Sequence, residues 1–221
     1  MKKLFVIFSL VLFMTGCSVV KINNQSYSDI IDSILTNKTS LKNVSLEGYS
    51  YYLPKGVLVK KTQGLNSVLY YNHRKMYLYV DALSYYHKVD GVYEKGTKNY
   101  YAQEIDINGK KGYLEITQIY TKYFVEFMYN YSKIEAYTSE EELKKTVTTM
   151  AYILNSVEFK DSILSTLIGD NTLNYNEENF NIFKPKREEG SFLDYVEEDQ
   201  QDSNDDYATD EDQIEFIGQG E

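Results

Sequence analysis

The side chains able to do chemistry in this 221-residue chain are few and scattered. Cys17 is the only cysteine, so a reactive thiol would act alone and no internal disulfide can form. The two histidines stand apart, His73 beside Arg74 and Lys75 in a turn-like stretch, His87 after Tyr85-Tyr86. Metal centres gather His, Cys and carboxylates at short, repeated spacings, and no such spacing occurs. No serine occupies a Gly-x-Ser-x-Gly elbow, and no glycine-rich loop is built to cradle phosphate. Asp81 and Glu104 come nearest to a carboxylate pair for acid–base work, if adjacent strands bring them together. Strand alternation explains both more simply, as solvated residues on a wet face. The expectation is therefore a chain without catalytic, cofactor or metal sites.

The surroundings of Cys17 give that residue another role. Lys2 and Lys3 form a positive start, an apolar run extends from Leu4 to Met14, and Thr15-Gly16-Cys17 follows. A membrane-spanning helix needs roughly twenty apolar residues, so this run is too short to remain as an anchor. The stretch resembles the lipobox of bacterial lipoproteins, with Met14 where leucine is usual. The resemblance implies cleavage between Gly16 and Cys17 and diacylation of the Cys17 thiol. Residues 1–16 are then a signal peptide and residues 17–26 a linker. The protein would lie on the extracytoplasmic face of the cell membrane, held by two acyl chains, enough for stable anchoring.

The charge is unevenly placed. Of 33 acidic residues, 14 fall in residues 187–221 with Arg187 as the only base there, a net of −13. The remainder is close to neutral at +3 and has no basic stripe, which argues against nucleic-acid binding. Residues 170–221 are expected to be largely disordered, because residues 197–212 hold too little apolar surface to fold. The tail can be read as a solvating spacer, a weak calcium collector or a docking segment; the spacer asks least of the sequence.

Between tether and tail, residues 27–169 should form one α+β domain, an antiparallel sheet of about five to seven strands flanked by two or three helices. The 43% apolar content supports a real core, and 23 tyrosines with 15% aromatics favour strands. A helix is expected over 27–36, capped by Ser26 or Ser28, with Ile30, Ile31, Ile34 and Leu35 on one face. Strand-like stretches follow at 49–53, 57–59, 67–71 and 76–83. Residues 100–107 and 112–120 flank Asn108-Gly109, a strong hairpin signal, and 123–131 adds a third strand. On it Tyr123, Val125, Phe127, Tyr129 and Tyr131 share a face. A helix over 140–155 is expected to open on a Ser139/Glu142 capping box and to carry Glu140/Lys144 and Glu141/Lys145 pairs. A short strand at 157–159 and a helix at 161–168 complete the domain.

Tyrosine doublets recur at 51–52, 70–71, 85–86 and 100–101. One member of each should face out, so Tyr52, Tyr71, Tyr86 and Tyr101 are candidates for an aromatic binding face; cross-strand pairing is the simpler account.

The sequence of elements, with Tyr51-Tyr52-Leu53-Pro54-Lys55-Gly56 opening the strands and Ile153-Leu154-Asn155-Ser156-Val157 closing the late helix, resembles the Mog1/PsbP-like fold over residues 27–160. Val57 stands where that family usually has tryptophan. The resemblance implies a binding or assembly module and supplies no catalytic residues. The resulting expectation is a non-enzymatic module of an envelope complex, partnered by another envelope protein. A small envelope hydrolase with a non-sequential active site, or a small-solute-binding lipoprotein, is the alternative. Oligomeric state is not legible.

Overall fold

A computed structural model describes residues 24–97 and 99–169. Residues 1–16, read above as a signal peptide, Cys17 and the acidic stretch 187–221 lie outside them. The described chain is α+β. It runs α1 (Tyr27–Leu35), β1 (Val44–Ser45), β2 (Tyr49–Tyr51), β3 (Val57–Gln63), β4 (Asn66–Tyr71), β5 (Arg74–Val80), α2 (Ala82–His87), β6 (Tyr101–Ile107), β7 (Lys110–Ile119), β8 (Lys122–Tyr129), β9 (Ser132–Thr138), α3 (Glu140–Ser156), β10 (Glu158–Phe159) and α4 (Asp161–Gly169). A seven-stranded antiparallel sheet has the order β3-β4-β5-β9-β8-β7-β6, and β1-β2-β10 form a small second sheet.

Two-residue turns set the register of the large sheet. Asn72-His73, Asn108-Gly109 and Asn130-Tyr131 each place both residues at positive φ, the turn geometry whose twist matches that of paired strands. Asparagine tolerates this conformation, which explains its recurrence. At Gly112 the β8 backbone comes so close that an added Cβ would lie 2.0 Å from the Met128 carbonyl oxygen, so only glycine fits.

One face of the sheet is the apolar core. Met76, Ala136, Val125 and Ile116 form one cross-strand row, and Leu78, Ile134, Phe127 and Leu114 the next. All eight are at most 2% exposed. Helix α3 covers this face with Leu143, Val147, Met150 and Leu154, and α1 packs alongside with Ile30, Ile31, Ile34 and Leu35. Burying each such side chain contributes about 1.5–3 kcal/mol.

Several local expectations need correction. Ser26 does cap α1, in a reciprocal box with Asp29. Ser139 makes no side-chain cap on α3, because its hydroxyl oxygen accepts from the Arg74 guanidinium at 3.1 Å. Glu142 instead pairs with Lys145 at 2.9 Å and accepts from Asn72. Lys144 reaches back to the Gln25 carbonyl at 2.6 Å. The strand expected to continue to Leu83 stops at Val80, and α2 follows, capped by the Asp81 carboxylate accepting from Ser84 N–H at 2.8 Å. Tyr131 falls in the β8–β9 turn and packs with Tyr113 and Met128, away from Tyr123, Val125, Phe127 and Tyr129.

Candidate functional site

The opposite face of the sheet is where charged side chains meet. Tyr77, Glu135, Glu126 and Glu115 are successive cross-strand neighbours on it, and Tyr79, Lys133, Met128 and Tyr113 form the adjoining row. Alternation along β7, β8 and β9 puts these residues opposite the core. They are nonetheless buried: Glu115 is 2% exposed, Glu126 1%, Glu135 2% and Lys133 1%. The Lys133 ammonium lies 2.7 Å from Glu135 and 3.7 Å from Glu126, with the Tyr79 ring 6.0 Å away. Pairing of this kind is what a charge needs to be tolerated out of water.

A strap of irregular chain, residues 89–97, crosses this face between α2 and β6. Tyr93 stacks on Tyr113 with ring centres 4.6 Å apart and planes 11° from parallel. Its hydroxyl donates to Glu115 at 2.8 Å, and Gly96 N–H points at the same carboxylate oxygen at 3.5 Å. Burial, reinforced by the charges of Glu126, Glu135 and Glu115, drives the Tyr113 hydroxyl far above its ordinary range, so it stays protonated.

The strap begins at a polar anchor. Asp90 accepts from the Tyr131 hydroxyl at 2.7 Å and pairs with Lys111 at 3.0 Å. The Tyr131 hydrogen bond, with that from Lys111, holds the Asp90 carboxyl below its usual value. Burial and Asp90 push Tyr131 up to about 12. Just before the strap, Tyr85 of α2 stacks on Phe159 at 3.8 Å, and its hydroxyl donates to Asp161 at 2.8 Å. Burial, then Asp161, raises Tyr85 to about 12.

Three carboxylates, an amine and phenolic hydroxyls are a set that can exchange protons or hold a cation. In the observed geometry they instead bind one another and the strap, closing this side of the sheet as a polar second core. Among the described residues, no group of three or more His, Cys, Asp or Glu is arranged to hold a metal ion.

The residues singled out from sequence fall elsewhere and do not converge. Cys17 and Gly16 lie outside the described residues. His73 is exposed at the β4–β5 turn, and His87 is exposed on α2 with its ring 5.2 Å from Tyr86. Asp81 caps α2, while Glu104 sits on β6, four strands from β5, so the two do not pair. The four tyrosines share no face. Tyr71 and Tyr101 lie on the helix-covered side near opposite margins, half-buried against the core, and Tyr101 packs 4.8 Å from Tyr27 of α1. Tyr52 follows β2 and its N–H donates to the Ser156 hydroxyl at 2.8 Å. Tyr86 is exposed on α2.

The Lys133–glutamate layer was missed because strand alternation assigns every charged residue to water. Its signal was Glu126, a single charge inside the apolar run Tyr123–Tyr129. Comparison with family models, curated protein sequences and solved structures gave no match to this chain.

Proposed function

We propose that the protein is a lipoprotein held on the extracytoplasmic face of the cell membrane through diacylglyceryl-Cys17. It acts there without catalysis, as a binding or assembly module for another envelope protein. The Lys2–Cys17 sequence supports the tether. The observation that carries the binding role is β3, the marginal strand of the large sheet, exposed at six of its seven residues. Leu58 is 58% exposed and Val59 39%, so the strand offers apolar side chains beside an open backbone edge. An extended segment of a partner can add to such an edge, with main-chain hydrogen bonds giving affinity. Lys60, Lys61 and the register shift between Val59 and Lys61 restrain indiscriminate pairing.

A photo-crosslinker at Leu58 in the lipidated protein tests this. It should capture one envelope protein repeatedly, while the same probe at Glu104 on the opposite marginal strand should not. Equal capture at both sites would refute the role of β3. The buried Lys133–Glu126–Glu135 group favours the second reading, an envelope hydrolase, on condition that the strap opens to admit substrate.

A further inference from the structure

The protein's two ends, taken along the strands, differ in what they expose. One end gathers the start of α1, the start of β6, the β7–β8 turn and the start of α3. There Tyr27 packs 4.8 Å from Tyr101, and Tyr100 meets Tyr123 edge-on at 4.9 Å. Tyr100 is 49% exposed, and Tyr120, in the β7–β8 turn, is 84% exposed. Tyr120 also has φ +53°, at the first central position of a two-residue hairpin that glycine fills best. A bulky residue in that conformation costs about 1–2 kcal/mol.

The same end receives the tether. Lys144 fixes the Gln25 carbonyl beside α3, and Ser26 caps α1. Only seven residue steps separate Cys17 from Asn24, a reach of at most about 25 Å when fully extended. We infer that this end of the domain rests on the lipid surface, with Tyr100 and Tyr120 entering the headgroup region. Tyrosine suits that boundary because its ring is apolar and its hydroxyl stays hydrated. The charges nearby nearly balance, Arg74, Lys122, Lys144 and Lys145 against Asp29, Glu140, Glu141 and Glu142, so the contact is aromatic and does not depend on anionic lipid. The β6–β7 and β8–β9 turns at the other end then face away from the membrane. The inference rests on the tether reading above.

The test uses the full lipidated chain in phosphatidylcholine vesicles carrying a headgroup quencher. Because lipid occupies Cys17, a cysteine introduced as Thr121→Cys or Asp106→Cys is the only free thiol for a fluorophore. Quenching should be several-fold greater at 121 than at 106, and Tyr120→Gly should reduce the quenching at 121. The same Tyr120→Gly change relieves the backbone at 120 and should leave thermal unfolding cooperative, so weaker contact cannot be mistaken for misfolding. Equal quenching at both sites, with lipid on Cys17 verified by mass, would overturn the orientation alone. Absence of lipid from Cys17 would overturn the tether reading and the orientation with it.

Discussion

At its centre, on β7, β8 and β9, the seven-stranded sheet is buried on both faces, by opposite means. On the helix side, Phe127, Ile134 and Leu114 pack against α3, and the energy comes from apolar surface removed from water. On the strap side, Lys133, Glu135, Glu126 and Glu115 are equally hidden, and each must find a partner or cost several kcal/mol. The helix face tolerates approximate complementarity, since any apolar side chain of the right volume serves. The strap face does not, because its stability lies in particular distances, 2.7 Å at Lys133–Glu135 and 2.8 Å at Tyr93–Glu115. The contrast also explains how a segment without helix or strand can be held in place. Residues 89–97 are fixed by side-chain contacts to a polar layer rather than by a ladder of their own.

The largest expected effects compare the two faces directly. Phe127→Ala should cost about 3–5 kcal/mol in denaturant unfolding, as large-to-small core changes do. Lys133→Met should cost a similar amount, about 3–5 kcal/mol, since it leaves buried carboxylates without their cation. The faces separate in the rescue. Adding Glu126→Gln and Glu135→Gln to Lys133→Met should recover a substantial part of the loss, whereas no polar substitution nearby should rescue Phe127→Ala. If the triple variant is no more stable than Lys133→Met alone, the charges are not what holds the strap face.

pH gives a gentler separation. Tyr85 and Tyr131 have folded values raised to about 12 from 10.0, so their contribution is whole below pH 10 and is lost as pH rises toward 12. Asp90 is lowered, so its contribution is present above its ordinary 3.8 and disappears as pH falls through the lower folded value. Protease cleavage within residues 89–97 should therefore increase at both extremes before the helix-side core unfolds. Simultaneous loss of both faces would show that the strap is not separately anchored.

The smallest effect belongs to the helix side. Ser26→Ala removes the capping box of α1 and should cost about 1 kcal/mol in thermal unfolding. Tyr93, on the other face, should stay packed on Tyr113, as its absorbance in the near-ultraviolet dichroism would report.

Much of the fold was legible in the sequence, and little of this site was. Asn108-Gly109 between apolar runs led directly to the β6–β7 hairpin, because that dipeptide suits paired positive φ angles. The stripe of Leu143, Val147, Met150 and Leu154 located α3 by its period. Helix α2 escapes the sequence, where the strand over 76–83 overruns its start, since six residues are too few to show that period and Tyr85-Tyr86 favours extended chain. The polar layer was hidden for a deeper reason. Alternation tells which side of a sheet a residue takes, not whether that side is wet, and only the strap decides this. The tyrosine doublets failed likewise, since Tyr71 and Tyr101 were assigned outward while the register turns them toward the helices.

The most direct test of the strap-side account is a double-mutant cycle joining Tyr93→Phe and Glu115→Gln. Phenylalanine keeps the stack on Tyr113, so the cycle isolates the hydroxyl–carboxylate bond. Coupling of about 1.5–3 kcal/mol is the expected result, the range for a hydrogen bond to a charged group. Additivity within about 0.5 kcal/mol would contradict a strap held by the buried polar layer.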